Sequence, residues 1–174
     1  VMFYTRESMD EEALKAVFAK IQTHHDTLRM SYTYPGKNQK QRVIQINRGV
    51  DQPLSFEVYD LRNHENAVKA LEVKADEIQA EIDLEKGPLM KLALFRLDDG
   101  DRLLMVIHHL VIDGISWRIL FEDIETLNRR YKKGEPLKLP LKTDSFKEWS
   151  EKLSRYANSK EFLQEKAYWR ELES

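Results

Sequence analysis

The chain has 174 residues, 41% hydrophobic and 33% charged, with a formal net charge of −2 and no cysteine. That length supports one domain with its own core, and the near-neutral balance gives no electrostatic pull toward nucleic acid or a membrane surface. The lack of cysteine removes disulfides and thiolate catalysis; no stretch reads as a membrane span or signal peptide, so a cytoplasmic location is expected.

Residues 1–6 alternate enough to form a strand. Asp10 is placed to cap a helix over Glu11–His24, in which Leu14, Val17, Phe18 and Ile21 recur at helical spacing. Residues 28–34 read as a strand, Pro35 and Gly36 as a turn, and 42–46 as a returning strand. Residues 56–59 form a short alternating strand. A long helix is expected over 63–83, with its apolar face at Val68, Leu71, Ala75, Ile78 and Ile82, ended by Gly87 and Pro88. Residues 91–97 and 103–109 flank an Asp-Asp-Gly-Asp segment and read as a hairpin. A helix spans about 116–132, with Ser116 as its N-cap, and basic residues near its end suit the helix dipole. A Pro-containing connector covers 134–142, and helical runs near 145–157 and 160–172 close the chain. Strands and helices mix without a strict βαβ rhythm. The expected fold class is therefore α/β (α+β), a mixed sheet with packed helices.

Residues 108–119 read His-His-Leu-Val-Ile-Asp-Gly-Ile-Ser-Trp-Arg-Ile and are the most informative stretch. They follow the apolar run Leu103, Leu104, Met105, Val106, Ile107, which has the content of a buried strand. Adjacent strand residues point to opposite faces, so only one of His108 and His109 would enter a given cleft. That argues against a metal held by the pair, as does the absence of a His-Glu-x-x-His spacing. A lone histidine in proton transfer fits better, since imidazole titrates nearest neutrality. Asp113 could orient a histidine or pair with a cation, and Gly114 removes a Cβ where a substrate or backbone approaches. The plain alternative is a strand ending in two packed histidines and an ordinary Asp-Gly turn. The other histidines are His24 and His25, at a helix end and structural, and His64, on a solvated helix start. Neither a phosphate-binding glycine loop nor a Gly-x-Ser-x-Gly elbow occurs.

The segment from His108 to Gly114 resembles the His-His-x-x-x-Asp-Gly signature of the condensation-domain superfamily of nonribosomal peptide synthetases. Its continuation, Ile115-Ser116-Trp117-Arg118-Ile119-Leu120, resembles the form typical of epimerization domains, with Ile115 in place of Val. His24-His25-Asp26-Thr27-Leu28-Arg29-Met30 resembles the family's second motif, His-His-Asp-Ala-Leu-Arg-Met. Lys142-Thr143-Asp144-Ser145-Phe146-Lys147-Glu148-Trp149 resembles the segment after the active-site helix of epimerization domains. The motifs occur in the expected order along essentially the whole chain.

The resemblance implies a chloramphenicol-acetyltransferase-like lobe, with residues 1–174 as the N-terminal lobe of a two-lobed domain whose C-terminal lobe is absent. It implies epimerization, L to D at the α-carbon, of an aminoacyl or peptidyl thioester on a carrier protein. Peptide-bond formation by a condensation domain and a non-catalytic carrier-docking lobe remain the alternatives. His109 is the implied acid/base, with His108 facing the fold. Asp113 would hold the loop through an ion pair with Arg29, whose planar guanidinium can meet a carboxylate with two bonds. Ser116 and Trp117 could border a substrate channel, although Ser116 reads better as a cap than a nucleophile, and Phe121 as core. No cofactor of its own is implied, only the phosphopantetheine arm of a carrier-protein partner. The other implied partners are the second lobe and neighbouring synthetase domains. The second acid/base group would be a glutamate of that lobe, so the isolated chain should be inactive.

Overall fold

The structure is a computed structural model that describes residues 1–33 and 44–172. They fall into two compact units divided after Leu139. In chain order the first unit comprises β1 (Met2–Thr5), α1 (Glu11–His24), a 3-10 turn (Asp26–Arg29), β2 (Met30–Thr33), β3 (Ile44–Asn47), β4 (Phe56–Asp60), α2 (Ala67–Ala80), β5 (Met90–Leu97), β6 (Gly100–Ile107) and α3 (Gly114–Lys132). The expected mixed sheet is present, in the order β1-β6-β5-β4. Strand β6 runs antiparallel to β1 and β5, whereas β4 runs parallel to β5. Strands β2 and β3 form a separate antiparallel pair.

The unbroken apolar runs of β5 and β6 follow from burial on both faces. Met90, Leu92, Leu103 and Met105 join one core with Val17, Phe18 and Ile21 of α1 and Leu120 and Leu127 of α3. Their alternates Ala93, Phe95, Leu97 and Leu104 join a second core with Leu71, Ala75 and Ile78 of α2. Full burial of each large apolar side chain contributes about 1.5–3 kcal/mol, so the two cores hold the centre of the sheet rigidly.

Helix α1 has the expected bounds, and Asp10 Oδ1 accepts from Ala13 N at 3.0 Å. Elsewhere the boundaries differ for local reasons. The strand expected from residue 28 starts at Met30, because the 3-10 turn takes Asp26–Arg29. The returning strand is β3, while its expected start and the Pro35-Gly36 turn lie outside the described residues. Helix α2 is shorter than 63–83, since Asn63 adopts a left-handed φ of 59° that no helix accepts. Val68 is exposed, which removes it from the predicted apolar face.

The hairpin turn is tighter than expected. Leu97 pairs with Gly100, leaving Asp98 and Asp99 as the two-residue loop. Gly100 has φ 133°, and a Cβ there would collide with the Thr5 carbonyl of the adjoining strand. Glycine thus lets β1 close onto β6.

The second unit holds α4 (Phe146–Ala157), α5 (Lys160–Gln164) and α6 (Lys166–Leu172). Ser145 caps α4, its Oγ accepting from Glu148 N at 3.1 Å. The run expected as one helix over 160–172 is divided at Glu165, which caps the short α5. No helix among the described residues is long and apolar enough to cross a membrane.

Gly100→Ala should destabilise the first unit by about 1–3 kcal/mol through backbone strain, plus the collision with β1. Denaturant unfolding of the two proteins checks this, and equal midpoints would refute the account of the β1–β6 contact.

Candidate active site

Strand β6 ends at Ile107, so both histidines lie just beyond it. Strand alternation, the basis for expecting opposed rings, does not act there. The backbone instead makes a tight turn, with Val111 N donating to His108 O at 3.0 Å. His108 N donates to Leu89 O at 2.9 Å, which fastens the turn to the segment leading into β5. The His108 ring folds back on the turn, Nδ1 accepting from Leu110 N at 3.1 Å. It is half-buried, and His109 is exposed. The turn, and not strand alternation, therefore separates the half-buried His108 from the exposed His109.

A third tie comes from outside the motif. Tyr32 of β2 donates its hydroxyl to Leu110 O at 3.1 Å, and Gln45 Nε2 of β3 donates to the Tyr32 oxygen at 3.2 Å. Burial pushes the Tyr32 phenol pKa up, so the group stays a hydrogen-bond donor at neutral pH. Sequence reasoning missed Tyr32, because an aromatic residue in a short strand carries no sign of a partner 78 positions away.

Asp113 is the N-cap of α3, which starts at Gly114. Its Oδ1 accepts from Ser116 N at 2.7 Å and from Ser116 Oγ at 2.6 Å. Ser116 is accordingly the bonded partner of the cap, correcting its expected role as the cap itself. These bonds, the hydroxyl first and the amide next, hold the Asp113 carboxyl below its ordinary pKa, with a smaller contribution from nearby His109.

The expected Arg29–Asp113 ion pair is not formed. Arg29 is buried, and its Nη1 donates to the carbonyls of Gln22 at 2.6 Å and Thr23 at 2.7 Å. The guanidinium thus satisfies the C-terminal end of α1, where free carbonyls and the helix dipole favour a cation. The loop is held by a helix cap in place of a salt bridge. Of the two reasons expected for Gly114, close approach of another backbone is not met, since a Cβ there would meet no atom within 4 Å among the described residues beyond its chain neighbours and its own helix backbone. Trp117 is half-buried against Phe121, ring centroids 5.4 Å apart, and both pack on the α1–α3 core. Phe121, expected in the core, is half-buried at its edge, and Trp117 shares that packing.

The condensation-domain family matches residues 1–174. The chain belongs to that family. It is 46% identical over 175 residues to tyrocidine synthase 2 of Brevibacillus parabrevis, covering 100% of this chain and 5% of that protein. It is 46% identical over 172 residues to gramicidin S synthase 1 of Brevibacillus brevis, covering 98% of this chain and 15% of the relative. Among solved structures, the epimerization domain from the third module of tyrocidine synthetase B superposes with a TM-score of 0.91 at 46% identity, over 100% of this chain and 39% of that one. The first condensation domain of the calcium-dependent antibiotic synthetase shares the fold, with a TM-score of 0.75 at 20% identity, over 98% of this chain and 40% of that one. The chain thus spans well under half the length of each of these proteins.

Tyr32→Phe should loosen the turn without unfolding the unit. Loss of one hydrogen bond costs about 0.5–1.5 kcal/mol. The Val111 amide should therefore exchange with solvent up to roughly tenfold faster; unchanged protection would show that Tyr32 does not brace the turn.

Acidification should release the α3 cap. A carboxyl with a lowered folded-state pKa contributes stability above its unfolded pKa and loses it as pH falls through the folded value. The Asp113–Ser116 bonds should persist at neutral pH and open below the ordinary Asp range, read as weakened Ser116 amide protection in wild type but not in Asp113→Asn.

Proposed function

We propose that this chain is the N-terminal lobe of an epimerization domain and that His109 is its acid/base group. The observation that carries the proposal is an exposed imidazole on a turn braced from three sides, in a chain 46% identical to a solved epimerization domain. The fold alone is shared with condensation domains, and the higher identity favours epimerization. The substrate is an aminoacyl or peptidyl thioester on the phosphopantetheine arm of a carrier protein, within cytoplasmic nonribosomal peptide synthesis.

The thioester carbonyl acidifies the α-carbon. Neutral His109 takes the α-proton, and the electron pair left on carbon delocalises onto the carbonyl oxygen as an enolate. A second acid on the opposite face, a glutamate of the second lobe by family resemblance, returns a proton to complete inversion. His108, Tyr32 and the Asp113 cap position the turn and do not touch the substrate. Bracing matters because small misplacement of a reacting group can cost about 10²-fold.

The test uses the full two-lobed domain with a carrier-bound aminoacyl thioester in deuterated water. Wild type should incorporate deuterium at the α-carbon and invert it, while a folded His109→Ala should lose about 10²–10⁴-fold. His108→Ala should act mainly through stability, and the 174-residue chain alone should be inactive. Near-wild-type exchange and inversion in folded His109→Ala would overturn the assignment. Peptide-bond formation without exchange, given donor and acceptor carriers, would transfer it to condensation.

A further inference from the structure

We propose that His24, His25 and Asp123 form a binding site for one divalent transition-metal ion that joins the end of α1 to α3. His25 Nε2 lies 2.8 Å from Asp123 Oδ2. The His24 and His25 rings meet edge to face with centroids 4.9 Å apart. One donor atom from each of the three residues falls within 4.8 Å of the other two.

Consecutive histidines on a regular helix would diverge, which is why the sequence pattern gave no hint of a site. Here the pair straddles the helix end. His24 closes α1, while His25 leaves it with φ −91° and ψ 103°. That extended step lets the second ring swing back beside the first. Asp123 arrives from a distant part of the chain. It sits three residues after Leu120 and four before Leu127, the two buried positions of α3. It therefore lies on the face turned toward α1.

The donor set selects the kind of ion. Two imidazole nitrogens and one carboxylate oxygen suit zinc or a neighbouring first-row metal, whereas magnesium and calcium require oxygen ligands. Tetrahedral metal–ligand distances of about 2.0–2.2 Å set donors roughly 3.3–3.5 Å apart. The existing spacings, 2.8 Å for His25 and Asp123 and within 4.8 Å for the full set, bracket this distance. His25 is 25% exposed and Asp123 16%, so an ion can enter and keep water in its remaining position. Arg29 already satisfies the Gln22 and Thr23 carbonyls, leaving the Asp123 carboxylate as the anion that draws the cation. The site is about 15 Å along α3 from the Asp113 cap at 1.5 Å per residue, which makes it a structural clamp and not part of the proton-transfer group.

The deciding measurement is nitrogen NMR of histidine-labelled, untagged chain titrated with Zn2+ at neutral pH. The ring signals of His24 and His25 should shift with one equivalent, and those of His64, His108 and His109 should not. Asp123→Asn, which keeps the side-chain shape but removes the charged ligand, should weaken Zn2+ binding at least tenfold by calorimetry. Lowering the pH below the imidazole range should release the ion, since the ligands must be deprotonated. Absence of a one-equivalent shift at His24 and His25, or a shift centred on the other histidines, would overturn the proposal. Equal affinity in wild type and folded Asp123→Asn would also overturn it.

Discussion

The hydrogen bond from His108 N to Leu89 O is the constraint on which the site depends. It is where the central sheet hands its rigidity to the turn. Leu89 is fully buried immediately before β5, and its carbonyl is fixed by the same core that holds Met90 and Leu92. The chain can then leave β6, turn over four residues and enter α3 without losing its position. Tyr32 and the Asp113 cap hold the later part of the turn. None of these ties uses the His109 ring. His109 stays exposed while its neighbours do the anchoring.

That division of labour rests on the sheet being covered on both faces. A one-sided sheet would leave β5 and β6 alternating apolar and polar residues, with half of each strand solvated. Here α1 and α3 cover one face and α2 the other. Loss of packing from either face weakens the platform beneath the turn. Stability and function are therefore coupled through β6, although the core residues themselves lie beneath the imidazole's turn and carry no proton.

The features legible in the sequence are those set by neighbours in the chain. The Asp10 cap, the apolar stripe of α1, the β5–β6 hairpin and the His-His-x-x-x-Asp-Gly turn all show in local spacing. What escaped reading depends on distant partners or on one backbone angle. Asn63 shortens α2 through a left-handed φ, and the division at Glu165 breaks a run with good helical composition. The Arg29–Asp113 pair was a sound electrostatic guess, since buried charges need partners. It failed because the carbonyls at the end of α1, the element just before, accept from the Arg29 Nη1. Tyr32 was invisible for the converse reason: its acceptor is a backbone carbonyl, and any residue at position 110 would supply one.

Removing a proton from carbon places strict demands on the surroundings of His109 under the proposed reading. An enolate in bulk water gains little from fixed dipoles, whereas in a closed site the same dipoles act at low dielectric and need no reorganisation. In this chain the imidazole is open to solvent, and so are Leu110, Ile115 and Ile119 on the turn and first turns of α3. Under the proposed reading, the described residues leave His109 exposed, so water must be excluded by something packed over the turn. The proposed reaction also calls for a second acid on the far side of the α-carbon. Under that reading, a second lobe that closes over the turn and carries the opposing carboxylate would supply both the enclosure and the second proton donor.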